Sequence, residues 1–164
     1  KIDPLCKVVI LGKSDTPKVL FTATQKLNDK MIRPIIGADF IVRKLETDFG
    51  LITLQMWITA SIEKFMSLSK AFYRGADAFI VMYNVDEPES FEGLNEFIAD
   101  SDITLQEGYE NTLKILYANK CTDDKARKIS AEAGMKFADS IGYDYFEGFA
   151  KDEYLNLTVS QYIC

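Results

Sequence analysis

Cys6-Lys7-Val8-Val9-Ile10-Leu11 runs straight into Gly12-Lys13-Ser14-Asp15-Thr16-Pro17-Lys18-Val19. Val8–Leu11 is apolar throughout, which predicts a strand buried on both faces of a sheet. The segment after it follows part of G-x-x-x-x-G-K-[ST], the pattern of a loop that ends a strand and wraps phosphate. Gly12 and Lys18 fit that pattern. Pro17 stands at the second glycine and Val19 at the hydroxyl position. Each change removes one part of the chemistry. Such a loop holds phosphate with backbone N–H groups, and proline has no N–H and a fixed φ. The hydroxyl would ligate Mg²⁺ beside the terminal phosphates, and valine has no oxygen. Asp15 adds a negative charge where anions would sit. Taken alone, the stretch reads equally as an ordinary strand-to-helix turn.

Outward from this loop, strand-like and helical runs alternate. Thr16–Asn28 is compatible with a helix once past Pro17. Asp39–Glu46 and Leu51–Trp57 are β-rich, and Asp48-Phe49-Gly50 between them signals a hairpin. Ala78–Val85 reads as another buried strand. Ser90 is expected to cap a helix with Phe91, Leu94, Phe97 and Ile98 on one face. Leu113–Ala118 is a further strand. Ser130 is expected to cap a helix that turns Met135, Phe137, Ala138 and Ile141 inward. Tyr143–Phe146 is a short strand, and Asp152–Ile163 a closing helix. A hairpin followed by βα units predicts a mostly parallel sheet with helices on both faces. Ligands bind such sheets at the carboxyl ends of the strands. Gly12, Trp57, Asn119 and Ala150 are all expected there, each just after a strand.

Composition narrows the function. The chain has 164 residues, 48% hydrophobic and 27% charged, as expected of one globular domain spanning 1–164 with a real core. A net charge of −6 argues against nucleic acid and against docking on acidic lipid. No run is long enough for a membrane span. Three distant cysteines, Cys6, Cys121 and Cys164, read as reduced thiols of a cytoplasmic protein. The absence of histidine removes Ser-His and Cys-His catalysis and most zinc sites.

Five segments, in order, then carry a resemblance. They are Ile36-Gly37-Ala38-Asp39-Phe40, Trp57-Ile58-Thr59-Ala60-Ser61-Ile62-Glu63-Lys64-Phe65, Ala71-Phe72-Tyr73-Arg74-Gly75-Ala76-Asp77, Ala118-Asn119-Lys120-Cys121-Thr122 and Phe149-Ala150-Lys151. Together they resemble a Ras-superfamily small GTPase of the Rab branch, late-endosomal Rabs in particular, from about Leu5 to Lys151. The resemblance implies the small-GTPase α/β fold: a six-stranded, mostly parallel sheet with one antiparallel strand and helices on both faces. The second segment is similar to W-D-T-A-G-Q-E-R-F of switch II, the fourth to the guanine-reading N-K-x-D, and the last to S-A-K.

The departures fall on functional positions. Besides Pro17 and Val19, Ile35 stands where switch I supplies a metal-binding threonine. Ile58 stands where switch II supplies the aspartate that supports Mg²⁺ through water. Ser61 replaces the glycine that senses the γ-phosphate, and Ile62 the glutamine that orients the attacking water. Thr122 replaces the aspartate that pairs with guanine, and Phe149 the serine of S-A-K. Gly12, Lys18, Asn119, Lys120, Ala150 and Lys151 survive as a vestigial nucleotide site. The lysines read equally as solvated side chains. Asn119 reads also as a residue that ties neighbouring loop backbone. Phe40, Trp57 and Phe72 match the aromatic triad that Rabs present to effector proteins. They read equally as packing for the sheet.

The resemblance therefore implies a Rab-like pseudo-GTPase, a protein-interaction module of vesicle traffic with impaired GTP binding and no hydrolysis. No catalytic residue, resident cofactor or metal is expected; GTP or GDP with Mg²⁺ would bind only weakly. The partner is a protein effector, with no nucleic acid and no membrane span, and the location is cytoplasmic or peripheral on endomembranes. Two alternatives stay open: an atypical GTP/GDP switch, and a drifted or engineered Rab domain without activity. A lipid anchor is also open, because Cys164 follows a predicted helix directly and makes no C-a-a-X box.

Overall fold

A computed structural model describes residues 3–13, 38–59, 73–105, 111–120, 124–150 and 152–163. Strand β1 is Leu5–Leu11, β2 Ala38–Thr47 and β3 Gly50–Thr59. Then come β4 (Ala78–Asn84), helix α1 (Pro88–Glu92), α2 (Leu94–Leu105) and β5 (Leu113–Asn119). A 3₁₀ turn at Asp124–Ala126 precedes α3 (Ala131–Ile141), β6 (Asp144–Gly148) and α4 (Glu153–Ile163). The expected helix over Thr16–Asn28 lies outside the described residues.

The six strands form one sheet in the order β2-β3-β1-β4-β5-β6. Only β2 runs antiparallel to its neighbour; the other four pairings are parallel. The β2–β3 hairpin is closed by the Thr47 hydroxyl, which donates to the Gly50 carbonyl at 2.9 Å. The central strands are buried on both faces, which is why β1 and β4 read as unbroken apolar runs rather than alternations. Val9, Leu11, Phe79, Val81, Tyr83, Leu116 and Ala118 pack with Leu94, Ile98 and Ala138 of α2 and α3. On the opposite face Val8, Ile10, Met56, Ile80, Met82 and Tyr117 pack with Ala150 and Val159, the latter from α4. Helices therefore cover both faces, as expected.

Three expectations need correction. Ser90 caps nothing. The N-cap of α1 is Glu87, with Pro88 opening the helix. Ser90 is buried inside it, where its hydroxyl accepts the Asn84 N–H at 2.9 Å and donates to the Glu87 carbonyl at 2.7 Å. Met135 is 49% exposed, not inward. The buried stripe of α3 is Gly134 and Ala138, with Phe137 and Ile141 partly buried beside it. That spacing of 134, 137, 138 and 141 is helical, and the small residue in it escaped a reading that looked for bulk. Trp57 does not follow a strand. It lies within β3, opposite Phe40 of β2 and Val9 of β1. Ser130 does cap α3, accepting the Ala133 N–H at 3.1 Å.

Gly12 has a structural duty independent of any ligand. Its φ is +145°, and a Cβ there would collide with the Met82 carbonyl oxygen of the adjacent strand. Gly12→Ala is expected to cost about 2 kcal/mol or more through this clash and backbone strain. Urea unfolding of the variant without nucleotide measures it, and a loss near zero would refute the packing argument.

Candidate functional site

The sheet order brings Gly12, Asn84, Asn119 and Ala150 to neighbouring strand ends. Gly12 follows β1, Asn84 ends β4, Asn119 ends β5, and Ala150 lies just beyond β6. Asn119 joins them. Its Nδ2 donates to Asn84 Oδ1 at 2.7 Å, and its Oδ1 accepts the Ala150 N–H at 2.8 Å. Asn84 in turn donates from Nδ2 to Glu87 Oε2 at 2.9 Å. The loop after β5 is closed by backbone bonds: Val85 N–H to the Asn119 carbonyl, and Lys120 N–H to the Gly148 carbonyl. Of the six expected nucleotide-site residues, Gly12, Asn119, Lys120 and Ala150 thus gather at one end of the sheet. Lys18 and Lys151 lie outside the described residues. The Phe149 carbonyl accepts the Tyr117 hydroxyl at 3.3 Å and the Asp152 N–H at 2.8 Å.

One charged group organises the flank of this end, and the sequence reading missed it. Glu147 of β6 receives a forked pair of bonds from Arg127, at 2.8 and 2.9 Å. It also accepts the Tyr145 hydroxyl at 2.6 Å and lies 3.5 Å from the Lys120 ammonium. The Arg127 bonds, with help from Tyr145, hold the Glu147 carboxyl down to about 2 against the opposing effect of burial. Burial first, then the bond to Glu147, pushes the Tyr145 phenol well above its ordinary value. The buried Tyr83 phenol is raised by burial too. Gly134 of α3 packs directly over this pair: a Cβ there would collide with the Tyr83 hydroxyl and reach the Tyr145 ring at 2.8 Å. Arg127 and Glu147 are twenty residues apart on a loop and a strand. No local spacing betrays such a pair.

The aromatic residues lie on the other half of the sheet. Phe40 and Trp57 stack, with ring centroids 4.8 Å apart and planes inclined by 29°. Phe40 is 45% exposed, and Val42 on the same face of β2 is exposed as well. Trp57 is half-buried. Its indole N–H donates to Gln55 Oε1 at 2.8 Å. Phe72, the third of the expected triad, lies outside the described residues. A cleft of about 450 Å³ sits elsewhere, between the hairpin turn at Thr47, Asp48 and Phe49 and Gln161 of α4. It is at the far end of the sheet from Gly12 and Asn119.

At the carboxyl end of β3 the side chain is Ile58, 3% exposed. It offers hydrocarbon, and no oxygen for a metal ion or its waters. Val19 and Ile35, the other positions expected to face the metal, lie outside the described residues. No helix among them is long and apolar enough to cross a membrane.

A mixed sheet of this order, with Gly12 just after β1 and an Asn-Lys pair at the end of β5, is the arrangement of the nucleotide-switch class of α/β proteins. The model of the Ras family matches residues 7–161. The Ras-related protein RIC1 of Oryza sativa subsp. japonica is 37% identical over 153 residues, covering 92% of this chain and 74% of that protein. Ras-related protein Rab-3A of Homo sapiens is 32% identical over 163 residues, covering 97% and 70%. The GTP-binding protein ypt2 of Schizosaccharomyces pombe is 33% identical over 151 residues, covering 91% and 74%. The chain belongs to the Ras family of small GTPases and is Rab-like within it.

The Glu147 pair carries a pH dependence with a definite sign. The folded pKa lies below the ordinary carboxylate value, so its stabilisation is present at neutral pH. It fades as pH falls from about 4.5 towards 2. Glu147→Gln is expected to cost about 2 kcal/mol at pH 7, the scale of hydrogen bonds to a charged group. The gap between the variant and the parent should close as pH drops below 4.5, read by urea unfolding at each pH. A gap that stays constant down to the folded value of about 2 would refute the assignment.

Proposed function

We propose that this chain is a Rab-like pseudo-GTPase: a protein-interaction module of vesicle traffic that binds nucleotide weakly and does not hydrolyse it. The observation that carries the reading is Ile58, a buried hydrocarbon side chain at the position where the family's switch II supplies a carboxylate. Pro17, Val19, Ile35, Ser61, Ile62 and Thr122 point the same way in the sequence. Three lost hydrogen bonds to charged groups amount to roughly 4 kcal/mol or more. That corresponds to about a thousandfold in affinity. The Asn119 carboxamide already serves protein groups on both its oxygen and its nitrogen, so its retention needs no nucleotide. The partner reading is supported by the half-exposed Phe40 stacked on Trp57, with Phe72 as the third aromatic expected beside them. Under this reading the protein works as a constitutive surface, peripheral on endomembranes, rather than as an enzyme.

A GTP-binding switch is the second reading. The name of the yeast relative, GTP-binding protein ypt2, and the retained Gly12, Lys18, Asn119, Lys120, Ala150 and Lys151 favour it. Acid extraction of the purified protein followed by chromatography separates the two readings, since a working switch carries bound nucleotide.

With GTP or GDP and Mg²⁺ added at micromolar concentration, thermal melts should nearly coincide with the nucleotide-free melt. A ligand of the folded state must raise it. Phosphate release under single turnover with excess protein should be undetectable. A rise of many degrees, or release at the rate of an ordinary small GTPase, overturns the reading. Trp57→Ala should weaken binding of a Rab effector domain captured by this chain by about 2 kcal/mol or more, as a hot spot would. A melt of the variant must show it folded, and a folded variant that binds equally well rejects this surface.

A further inference from the structure

We infer that Lys7 is a positioning residue of the aromatic surface: its ammonium, anchored on the Arg74 carbonyl, holds the Trp57 indole against Phe40. The inference rests on the reading of that surface as a partner site. Lys7 Nζ lies 5.1 Å from the centroid of the Trp57 ring, within reach of a cation–π attraction. It donates to the Arg74 carbonyl at 2.8 Å. The Lys7 backbone N–H donates to Asp77 Oδ2 at 2.7 Å, and the Asp77 N–H to the Lys7 carbonyl at 2.8 Å. Lys7 is therefore fastened at three atoms to residues 74–77, which follow Phe72 and Tyr73 in the chain.

The register explains why this side chain reaches the indole. In β1, Val9 is paired with Trp57 and Lys7 with Gln55, so Lys7 is the diagonal neighbour of Trp57 on the same sheet face. Phe40 approaches from β2, on the other side of β3. The ring is thus held between an aromatic ring from one strand and a cation from the other. Its N–H is fixed by Gln55. Partial burial lowers the Lys7 pKa, with the nearby Asp77 carboxylate opposing the shift. The ammonium thus bears a desolvation cost that a solvated lysine would avoid, offset here by the Arg74 carbonyl, the indole face and Asp77.

Two consequences follow. The indole presents hydrocarbon rather than a free N–H donor to whatever it meets. Its orientation is also mechanically linked to residues 74–77 by contacts that involve no phosphate. In a Ras-family switch the nucleotide's γ-phosphate orders the switch segments. Here a lysine from the core of the sheet would hold the surface in one arrangement.

Trp57 is the sole tryptophan of the chain, so its fluorescence reports this ring alone. Lys7→Met keeps the hydrocarbon stem and removes the cation. Lys7→Arg keeps a cation able to lie on the indole. In the free protein, Lys7→Met is expected to raise the ratio of displaced to stacked indole about fivefold, from the usual strength of such a contact. Time-resolved emission and acrylamide quenching read that ratio, and Lys7→Arg should stay near the parent. If Lys7→Met melts lower while both ring readouts keep parental values, Lys7 merely supports the fold and the inference is overturned. A measurement without any variant decides the case if Lys7→Met does not fold. The ring current of Trp57 should shift the Lys7 ε-methylene protons upfield of those of the other lysines. An ordinary lysine position for them overturns the inference. None of these readouts needs a partner, so failure of Trp57→Ala to weaken effector binding would remove the partner reading and leave this result standing.

Discussion

One side-chain amide joins the ends of three elements. Asn119 lies at the last position of β5, where its carboxamide bonds Asn84 on one side and the Ala150 backbone on the other. Both partners come from chain segments more than thirty residues away. A parallel sheet leaves the carboxyl ends of its strands to loops that share no ladder with each other. Some group must supply the bonds there, since buried backbone donors are costly to leave unmet. Asn119 supplies one to Ala150, whose side chain then enters the core beside Tyr117 and Val159. Ser90 performs the equivalent service at the end of β4, from inside a helix. The end of the sheet where the family reads guanine is therefore a cross-braced platform in its own right.

This bears on how far the sequence could be read. The strands were legible because burial on both faces leaves unbroken apolar runs such as Val8–Leu11 and Ala78–Tyr83. The Ser130 cap was legible because its bond is local. Ser90 misled because a serine ahead of an apolar stripe looks like a cap from sequence alone, while Pro88 two residues earlier already opened the helix. Met135 misled because its bulk drew the stripe one residue off, and the true inward residue, Gly134, is small so that two tyrosines can fit beneath it. Arg127 and Glu147 stayed invisible because their pairing depends on the loop of Arg127 docking through Lys128 and Ile129 on the Val85 carbonyl, which no spacing encodes. Lys7 stayed hidden for the same reason. Its target lies on a neighbouring strand.

The described part of the candidate site divides by the same logic. Gly12, Asn119 and Ala150 all hold structural duties that a nucleotide does not create: close approach to Met82, a brace between loops, and a place in the core. Retention of such residues is weak testimony for a ligand, because folding alone selects them. Ile58 is different. A buried carboxylate at that position would be costly unless something paired with it. A buried isoleucine stabilises the sheet without any ligand.

The order of the strands also sets the brace at the base end apart from the aromatic stack. The aromatic stack sits on β2 and β3 with Lys7 on β1, and the amide brace and the Glu147 cluster sit on β4, β5 and β6. Among the strand pairings, β1–β4 joins the two halves, and the core cluster on which Trp57 packs spans them as well. Substitutions more than about 10 Å apart with no shared partners contribute nearly independently to stability. A substitution in the Asn119 brace therefore need not disturb Phe40 and Trp57, whereas Ile58 adjoins Trp57 on β3. In an ordinary switch the two halves are coupled through the phosphate, and a damaged base site disables the partner surface. Under the proposed function, Lys7 fastens the surface from below, so its shape would not depend on that coupling.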